Sequence, residues 1–340
     1  MPEAFLGVLL SSIVAFLVVK IATPKIIKLH LEHGLSRPDA HKPGNPLVAH
    51  SGGVALFLGF VSGLILFMLF YPLDASSLAK LVGVALSAGI GFAIGYIDDK
   101  KILGGLTKTI LSVFTFVPLA VIGFLYPKAI EWGRPVVPII GRMRMTIIYW
   151  LLLPVSVAGA ANVVNMLDVL NGIVPGTSIV IFTTLAIISI LKGDTLLFVL
   201  TVVSLAVLLA YYPFNAYPAR IFNGDSGSLF LGALLGAIAV AFHLEFVVLV
   251  LLLPHILNGL FVLVSFRGFR EHREIKVRPV LVENGILRSN PDPKAPLTLT
   301  RLILHFSGPL TEKEVAEMYI WLEVVAAFLA FLSYLLTPVG

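Results

Sequence analysis

The sequence predicts an all-α integral membrane protein, a bundle of about ten transmembrane helices. Three observations carry this. Of its 340 residues 58% are hydrophobic and only 13% charged, against roughly 45–50% and 25% in soluble domains. The apolar residues come in runs of about 20, the length that crosses the hydrocarbon core of a bilayer. The runs are too long for barrel strands, and a helix is then the remaining way to satisfy the backbone in lipid.

The runs fall at 4–22, 49–71, 78–97, 107–126, 147–164, 173–191, 195–212, 227–243, 246–265 and 318–337. The first, opening MPEAFLGVLL, has no basic leader segment, carries Glu3 and stays apolar up to Lys20. It reads as a first membrane helix rather than a cleaved signal. IATPKIIKLHLEHG (21–34) alternates apolar and basic positions at helical spacing, and fits either an interfacial amphipathic helix or a plain extension of the first helix. The fifth and eighth runs carry polar residues at their ends. Gly232 and Gly236 in the eighth form a small-xxx-small pair of the kind that packs helices closely. No internal repeat or interdomain linker interrupts the chain, so residues 1–340 read as a single polytopic membrane domain. The stretch 266–317 is a long loop between the ninth and tenth helices. Its V-E-N-G-I-L segment reads as a hairpin turn, and loops of this length are usually functional. There is no cysteine, which excludes disulfides and thiolate metal sites.

The formal net charge is +5. Its distribution points to membrane topology rather than nucleic acid. Loops after the odd-numbered helices hold 18 of the 24 lysines and arginines, so the positive-inside rule makes those loops cytoplasmic and puts both termini outside. The basic segment YPKAIEWGRPVVPIIGRMRM (126–145) is the exception, external in this scheme.

Four polar clusters fall on the expected cytoplasmic side. DDKKILGGLTK (98–108) sets Asp98 beside Asp99. Adjacent carboxylates repel unless a cation is near, so the pair reads either as a solvated charged turn or as a Mg²⁺- or phosphate-activating site with Lys108 binding phosphate. In NVVNMLDVLNG (162–172), Asn162, Asn165 and Asp168 recur every three residues and share roughly one helix face. Such residues are costly in a membrane helix, and their oxygens suit hard cations. The alternative is interhelical hydrogen bonding with a helix end at Asn171-Gly172. In FNGDSGS (222–228), Asp225 is either a helix N-cap or a metal ligand, and Phe222 offers a flat face for a base. FREHREIKVR (269–278) is dense in guanidinium groups suited to phosphate or to anionic headgroups; His272 alone is not diagnostic. Patterns for a Walker A loop, a nucleophile elbow and a zinc-protease helix are absent. The combination points to phosphoryl transfer between a soluble nucleotide compound and a lipid.

At this point the chain resembles a known family, the polyprenyl-phosphate N-acetylhexosamine-1-phosphate transferases. The resemblance rests on an ordered set: SGG at 51–53, the Asp pair with Lys108 ten residues after Asp98, the N-x-x-N-x-x-D run, F-x-G-D, and the long ninth loop. It is strongest toward the dolichyl-phosphate branch of archaea and eukaryotes, through H-R followed by N-G-x-L in that loop, Pro254 and Asn258, and S-G-P-L at 307–310. The histidine-rich ninth-loop motif of the bacterial muramyl-pentapeptide branch is missing. Asp168 stands where the dolichyl branch has a small residue, and the arginine run is spaced differently.

The resemblance implies a ten-helix membrane enzyme with cytoplasmic catalytic loops, in the cell or endoplasmic reticulum membrane. It would move GlcNAc-1-phosphate from UDP-GlcNAc to a dolichyl or polyprenyl phosphate, releasing UMP, at the first step of lipid-linked oligosaccharide synthesis. It implies Mg²⁺, or Mn²⁺, held by Asn165 and Asp225, with Asp98 and Asp99 beside the metal and the acceptor phosphate. Lys108 and Arg273, or Arg278 in its place, would grip the diphosphate, and Phe222 and Asn171 would hold the uracil. Asn162, Asp168 and His272 complete the expected substrate site. Expected partners are the UDP-sugar, the lipid phosphate and membrane lipids, with no nucleic acid; a homodimer is left open. Two other readings remain: the same chemistry on another UDP-sugar or as the start of a cell-envelope polymer, and a transporter. Few ionisable groups sit at mid-helix, against the transporter. His255 and Asn258 in the ninth helix either line a groove for the lipid tail, expected near helices 4, 5 and 9, or bond between helices.

Overall fold

A computed structural model describes residues 2–42, 44–145, 147–266 and 277–338. His272 and Arg273 lie outside them. Helix α1 runs Pro2–Glu32, α2 Gly53–Phe70 and α3 Ala75–Lys100. Helix α4 (Gly105–Ser112) passes through one 3₁₀ turn into α5 (Val117–Leu125). Then come α6 Ile147–Leu167, α7 Ile173–Lys192, α8 Thr195–Asn215 and α9 Gly224–Ala241. Helices α10 (Glu245–Leu251) and α11 (Leu253–Phe266) are two halves of one span, bent by 68°. The short α12 (Leu299–Ser307) precedes the last span, α13 (Glu312–Leu335). Nine helical segments among the described residues are long and apolar enough to cross a membrane, and the bent pair makes ten. All ten apolar runs of the sequence are therefore helical, nine as single segments long enough to span and the ninth run as the bent pair.

Helix α1 is continuous over 31 residues, about 46 Å at 1.5 Å per residue. That exceeds the ~30 Å core, so the basic segment 21–34 mostly extends the first helix rather than forming a separate one. Three small antiparallel sheets decorate the ends. β1 (Ser36–Pro38) pairs with β2 (Leu47–Ala49), and β3 (Val136–Val137) with β4 (Gly141–Arg142). In the ninth loop β5 (Val280–Glu283) pairs with β6 (Ile286–Ser289), and β6 with β7 (Leu310–Thr311). Asn284 and Gly285 both take positive φ between β5 and β6, the two-residue turn that Asn-Gly favours.

Helix α9 is the axis of the bundle, with nearly all of its residues buried. Its neighbours approach backbone to backbone. A Cβ on Gly232 would lie 2.5 Å from Ala161 Cα, and one on Gly236 2.7 Å from Val157 Cα, both in α6. On the opposite side, a Cβ on Gly95 of α3 would lie 2.1 Å from the Asp225 carbonyl oxygen. In lipid, helices gain little from the hydrophobic effect on association, so close packing of small residues supplies the attraction.

The polar groups of the bent span are consumed inside the protein. His255 is fully buried, 3.3 Å from Thr177 Oγ1 and 3.5 Å from the Glu323 carboxylate of α13. The Asn258 amide donates to the Met166 carbonyl and accepts from Leu299 N–H. Of the two readings left open for this pair, interhelical bonding describes both residues.

Gly232→Val should lower the thermal midpoint of the detergent-purified protein by several degrees, because overpacking typically costs about 1–3 kcal/mol. Gly159→Ala should leave it unchanged or raised, since a Cβ there meets only Val155 Cγ1 at 3.8 Å and alanine favours the helix.

Candidate active site

The site lies where the loops at one end of the bundle converge. Residues 49–53 form a strap laced to 221–223. Phe222 N–H donates to the Ala49 carbonyl at 2.8 Å, Gly52 N–H to the Phe222 carbonyl at 2.9 Å, and Gly53 N–H to the Asn223 carbonyl at 3.0 Å. Glycines are required here: a Cβ on Gly52 would strike the Tyr211 hydroxyl at 1.8 Å, and one on Gly53 the Gly227 nitrogen at 2.2 Å. Ser51 itself is held at φ +64°, an uncommon conformation for a residue with a side chain. The S-G-G motif is thus the place where the start of α2 meets the start of α9.

Asp98 and Asp99 close α3, and successive residues on a helix point about 100° apart. They serve different neighbours. Asp99 is 3% exposed and turned inward. Its Oδ1 accepts from Asp225 N–H at 2.8 Å and lies 3.1 Å from His50 Nε2. Its Oδ2 accepts from Ser51 Oγ at 2.7 Å and Ser226 N–H at 3.2 Å. Asp99 therefore caps α9 from another helix. Asp225 does not cap its own helix, and the Asn223 side chain at the cap position makes no capping bond. A carboxylate at a helix N-terminus also meets the positive end of the helix dipole. Gly224 sits at φ +72°, where a Cβ would lie 2.6 Å from Asp99 Oδ2.

Asp98 faces the other way. Its Oδ1 accepts from Leu103 N–H at 2.6 Å, and its Oδ2 lies 3.4 Å from Lys108 Nζ. Lys108, in α4, also pairs with Asp225 Oδ2. One ammonium thus joins two carboxylates, all three partly exposed.

Asp225 also forms part of a cleft of about 260 Å³. Arg37, His41, Asp168, Asn171 and Phe222 line it with Asp225. Asn171 is fixed by its neighbours: its N–H donates to Glu312 Oε1 at 2.8 Å and its Nδ2 to Asp39 Oδ2 at 3.2 Å. Lys42 pairs with Asp39 as well. Burial works to raise the Asp39 pKa, but bonds from Lys42 and Asn171 outweigh it and hold the carboxyl below its usual range. Burial lowers the His41 pKa; Asp39 pulls it back up, and the charges of Arg278 and Lys42 push it further down. Burial raises Asp168 to about 7.

The three residues of the N-x-x-N-x-x-D run part company. Asn162 Nδ2 donates to Ser112 Oγ at 2.6 Å and to the Ala158 carbonyl at 2.7 Å, tying α6 to α4. Asn165 Oδ1 accepts from Ser228 Oγ of α9 at 2.7 Å. Helix α6 stops at Leu167 rather than at Asn171, so Asp168 leaves the helix and reaches the cleft. Gly172, at φ +80°, starts α7 instead of ending α6. Arg278 is exposed in the ninth loop. Sequence reasoning did not find Arg37, Asp39, His41, His50 or Glu312. For the first four the only local signal is the density of polar residues in 36–50, a stretch read there simply as a basic loop; Glu312 opens the last span.

Nine to ten apolar helical spans with an oxygen-rich cleft at one end, beside a lysine that joins two carboxylates, define a polytopic membrane protein. Residues 81–243 match the family described as glycosyl transferase family 4. The matched region holds the Asp98–Lys108–Asp225 group and the 162–172 run. The chain is 28% identical over 336 residues, 97% of each chain, to a Sulfolobus acidocaldarius protein provisionally named UDP-N-acetylglucosamine–dolichyl-phosphate N-acetylglucosaminephosphotransferase. It is 26% identical over 241 residues (68% of this chain, 62% of the other) to a Bacillus subtilis protein provisionally named undecaprenyl-phosphate N-acetylglucosaminyl 1-phosphate transferase. A phospho-N-acetylmuramoyl-pentapeptide-transferase of Streptococcus equi is 28% identical over 276 residues, 77% of this chain and 81% of that one.

Asp99→Ala should lower the thermal midpoint well beyond Asp98→Ala. It strands two backbone N–H groups, a hydroxyl and an imidazole, a loss of roughly 3 kcal/mol or more. Equal shifts in the two variants would remove Asp99 from the capping role.

Proposed function

We propose that the chain transfers GlcNAc-1-phosphate from UDP-GlcNAc to a dolichyl or related polyprenyl phosphate and releases UMP. The observation that carries this reading is the Asp98–Lys108–Asp225 group. It stands between a cleft bearing an aromatic face and the outer face of α4 and the 3₁₀ turn after it, where Leu106, Ile110 and Phe114 are exposed for lipid. A soluble nucleotide enters on one side and a lipid phosphate on the other. The full-length similarity to the Sulfolobus acidocaldarius protein supports the dolichyl branch. The clustering of 18 of 24 basic residues on the site's side of the spans favours a cytoplasmic site with both termini outside.

Phe222 stacks on the uracil, and Asn171 hydrogen-bonds to its edge. Lys108, with Arg273 or Arg278, holds the diphosphate. The carboxylates flanking Lys108 already attract a cation, and the hard oxygen donors Asp225 and Asn165 fit Mg²⁺ or Mn²⁺. Such an ion supplies charge neutralisation at the diphosphate and the departing UMP.

An oxygen of the lipid phosphate attacks the β-phosphorus. The bond from that phosphorus to the bridging oxygen breaks, and UMP leaves with the oxygen and its electron pair. A phosphate monoester, with a second pKa of about 6, is already largely ionised at neutral pH, so no general base is needed. Asp98 instead holds Lys108 and the Leu103 amide in place. Positioning and electrostatics then carry most of the catalysis, as is general for phosphoryl transfer.

Purified protein given UDP-GlcNAc and dolichyl phosphate should release UMP and form a GlcNAc-diphosphate lipid. EDTA should stop the reaction and Mg²⁺ restore it. UMP release independent of lipid, or seen only with a different UDP-sugar from a panel, would overturn the assignment. Phe222→Ala should raise the KM for UDP-GlcNAc by about tenfold, the worth of one stacked base, and change the KM for lipid phosphate less than twofold. Equal effects on both would take the base away from Phe222.

A further inference from the structure

Asp99 is not among the residues lining the Asp225 cleft and opens instead on a neighbouring cavity of about 470 Å³ with His30, Arg37 and Lys100, yet the position of Asp225 depends on it. Two of its four donors are the backbone N–H groups of Asp225 and Ser226, which the fold supplies. The other two, Ser51 Oγ and His50 Nε2, come from the strap. His50 is held in turn. Its N–H donates to the Leu35 carbonyl at 3.0 Å, and its carbonyl lies 2.6 Å from His30 Nδ1. The ring stands edge-on to Phe222 with centroids 6.4 Å apart.

Packing alone does not account for an imidazole here. Its second nitrogen, Nδ1, is buried without a hydrogen-bond partner, a cost that a leucine of similar volume would avoid. What the ring supplies, and an apolar residue would not, is a nitrogen, Nε2, 3.1 Å from Asp99 Oδ1. Because Asp99 only accepts in this arrangement, Nε2 must carry the proton.

We propose that His50 is a positioning residue for the transfer reaction: through Asp99 it fixes the first turn of α9, and with it the Asp225 carboxylate. The inference rests on the reading of Asp225 above. The strap carrying His50 is bonded to both ends of the 221–223 segment, so the same element also sets Phe222. Losing the Nε2 contact lets the α9 terminus shift relative to Lys108, an effect that falls on turnover. His50 also lines the cleft, so two amide replacements of different length separate the contact with Asp99 from the loss of a lining ring.

The test compares wild type with His50→Leu, His50→Gln and His50→Asn in the lipid-dependent UMP-release assay. A glutamine amide reaches where Nε2 stood; an asparagine amide is one methylene short. His50→Leu should lower kcat about tenfold or more, the scale of one hydrogen bond to a charged group, with the KM for UDP-GlcNAc within twofold. His50→Gln should recover most of the kcat, and His50→Asn should not. A wild-type kcat in His50→Leu, or glutamine no better than asparagine, overturns the proposal. If His50→Leu does not fold, the glutamine-to-asparagine comparison decides alone. A wild-type protein without lipid-dependent UMP release overturns the functional reading, and the role of His50 falls with it. An active wild type with unaffected variants overturns the role of His50 only.

Discussion

The Asp99 carboxylate is the constraint on which the rest of the site depends. It joins three elements, the strap before α2, the end of α3 and the start of α9, through three hydrogen bonds and a 3.1 Å contact with His50 Nε2. A buried carboxylate is expensive unless its oxygens are satisfied, and here the donors are mostly ones the fold must satisfy anyway. The N–H groups at the start of a helix have no partner within that helix, and α9 begins inside the protein. Asp99 and the α9 terminus therefore solve each other's problem.

The same packing explains why the most buried helix carries the most exposed chemistry. Small residues along α9, α3 and α6 let backbones touch, which makes α9 a rigid post with its first turn at the polar end of the bundle. Lys108, on a different helix, reaches Asp225 at that terminus.

The cleft's far wall is built differently. Asp39 and Lys42 come from one loop, Asn171 from a second and Glu312 from the last span, and their mutual bonds close the bundle around its end. Neutralisation within this group lets two carboxylates stand beside Asn171. Alone, either would be costly at that depth.

How much of this was legible in the sequence follows the range of the forces. Each span could be read because a run of apolar residues reports its own solvent, and the Asn-Gly turn because two residues set it. The polar clusters were visible as departures from those runs, and Asp98, Lys108, Asp225, Phe222 and Asn171 were found in that way. Only the tertiary structure separated Asp98 from Asp99. Neighbours in sequence diverge by a fixed helical angle, and which one faces inward depends on what packs against α3. It also assigned Asn162 and Asn258 to bonds between helices, and brought His50, Asp39 and Glu312 to the site. These last are single polar residues whose partners lie from about 50 to 270 positions away in the chain; no local pattern encodes such a pairing, and only the folded geometry makes it.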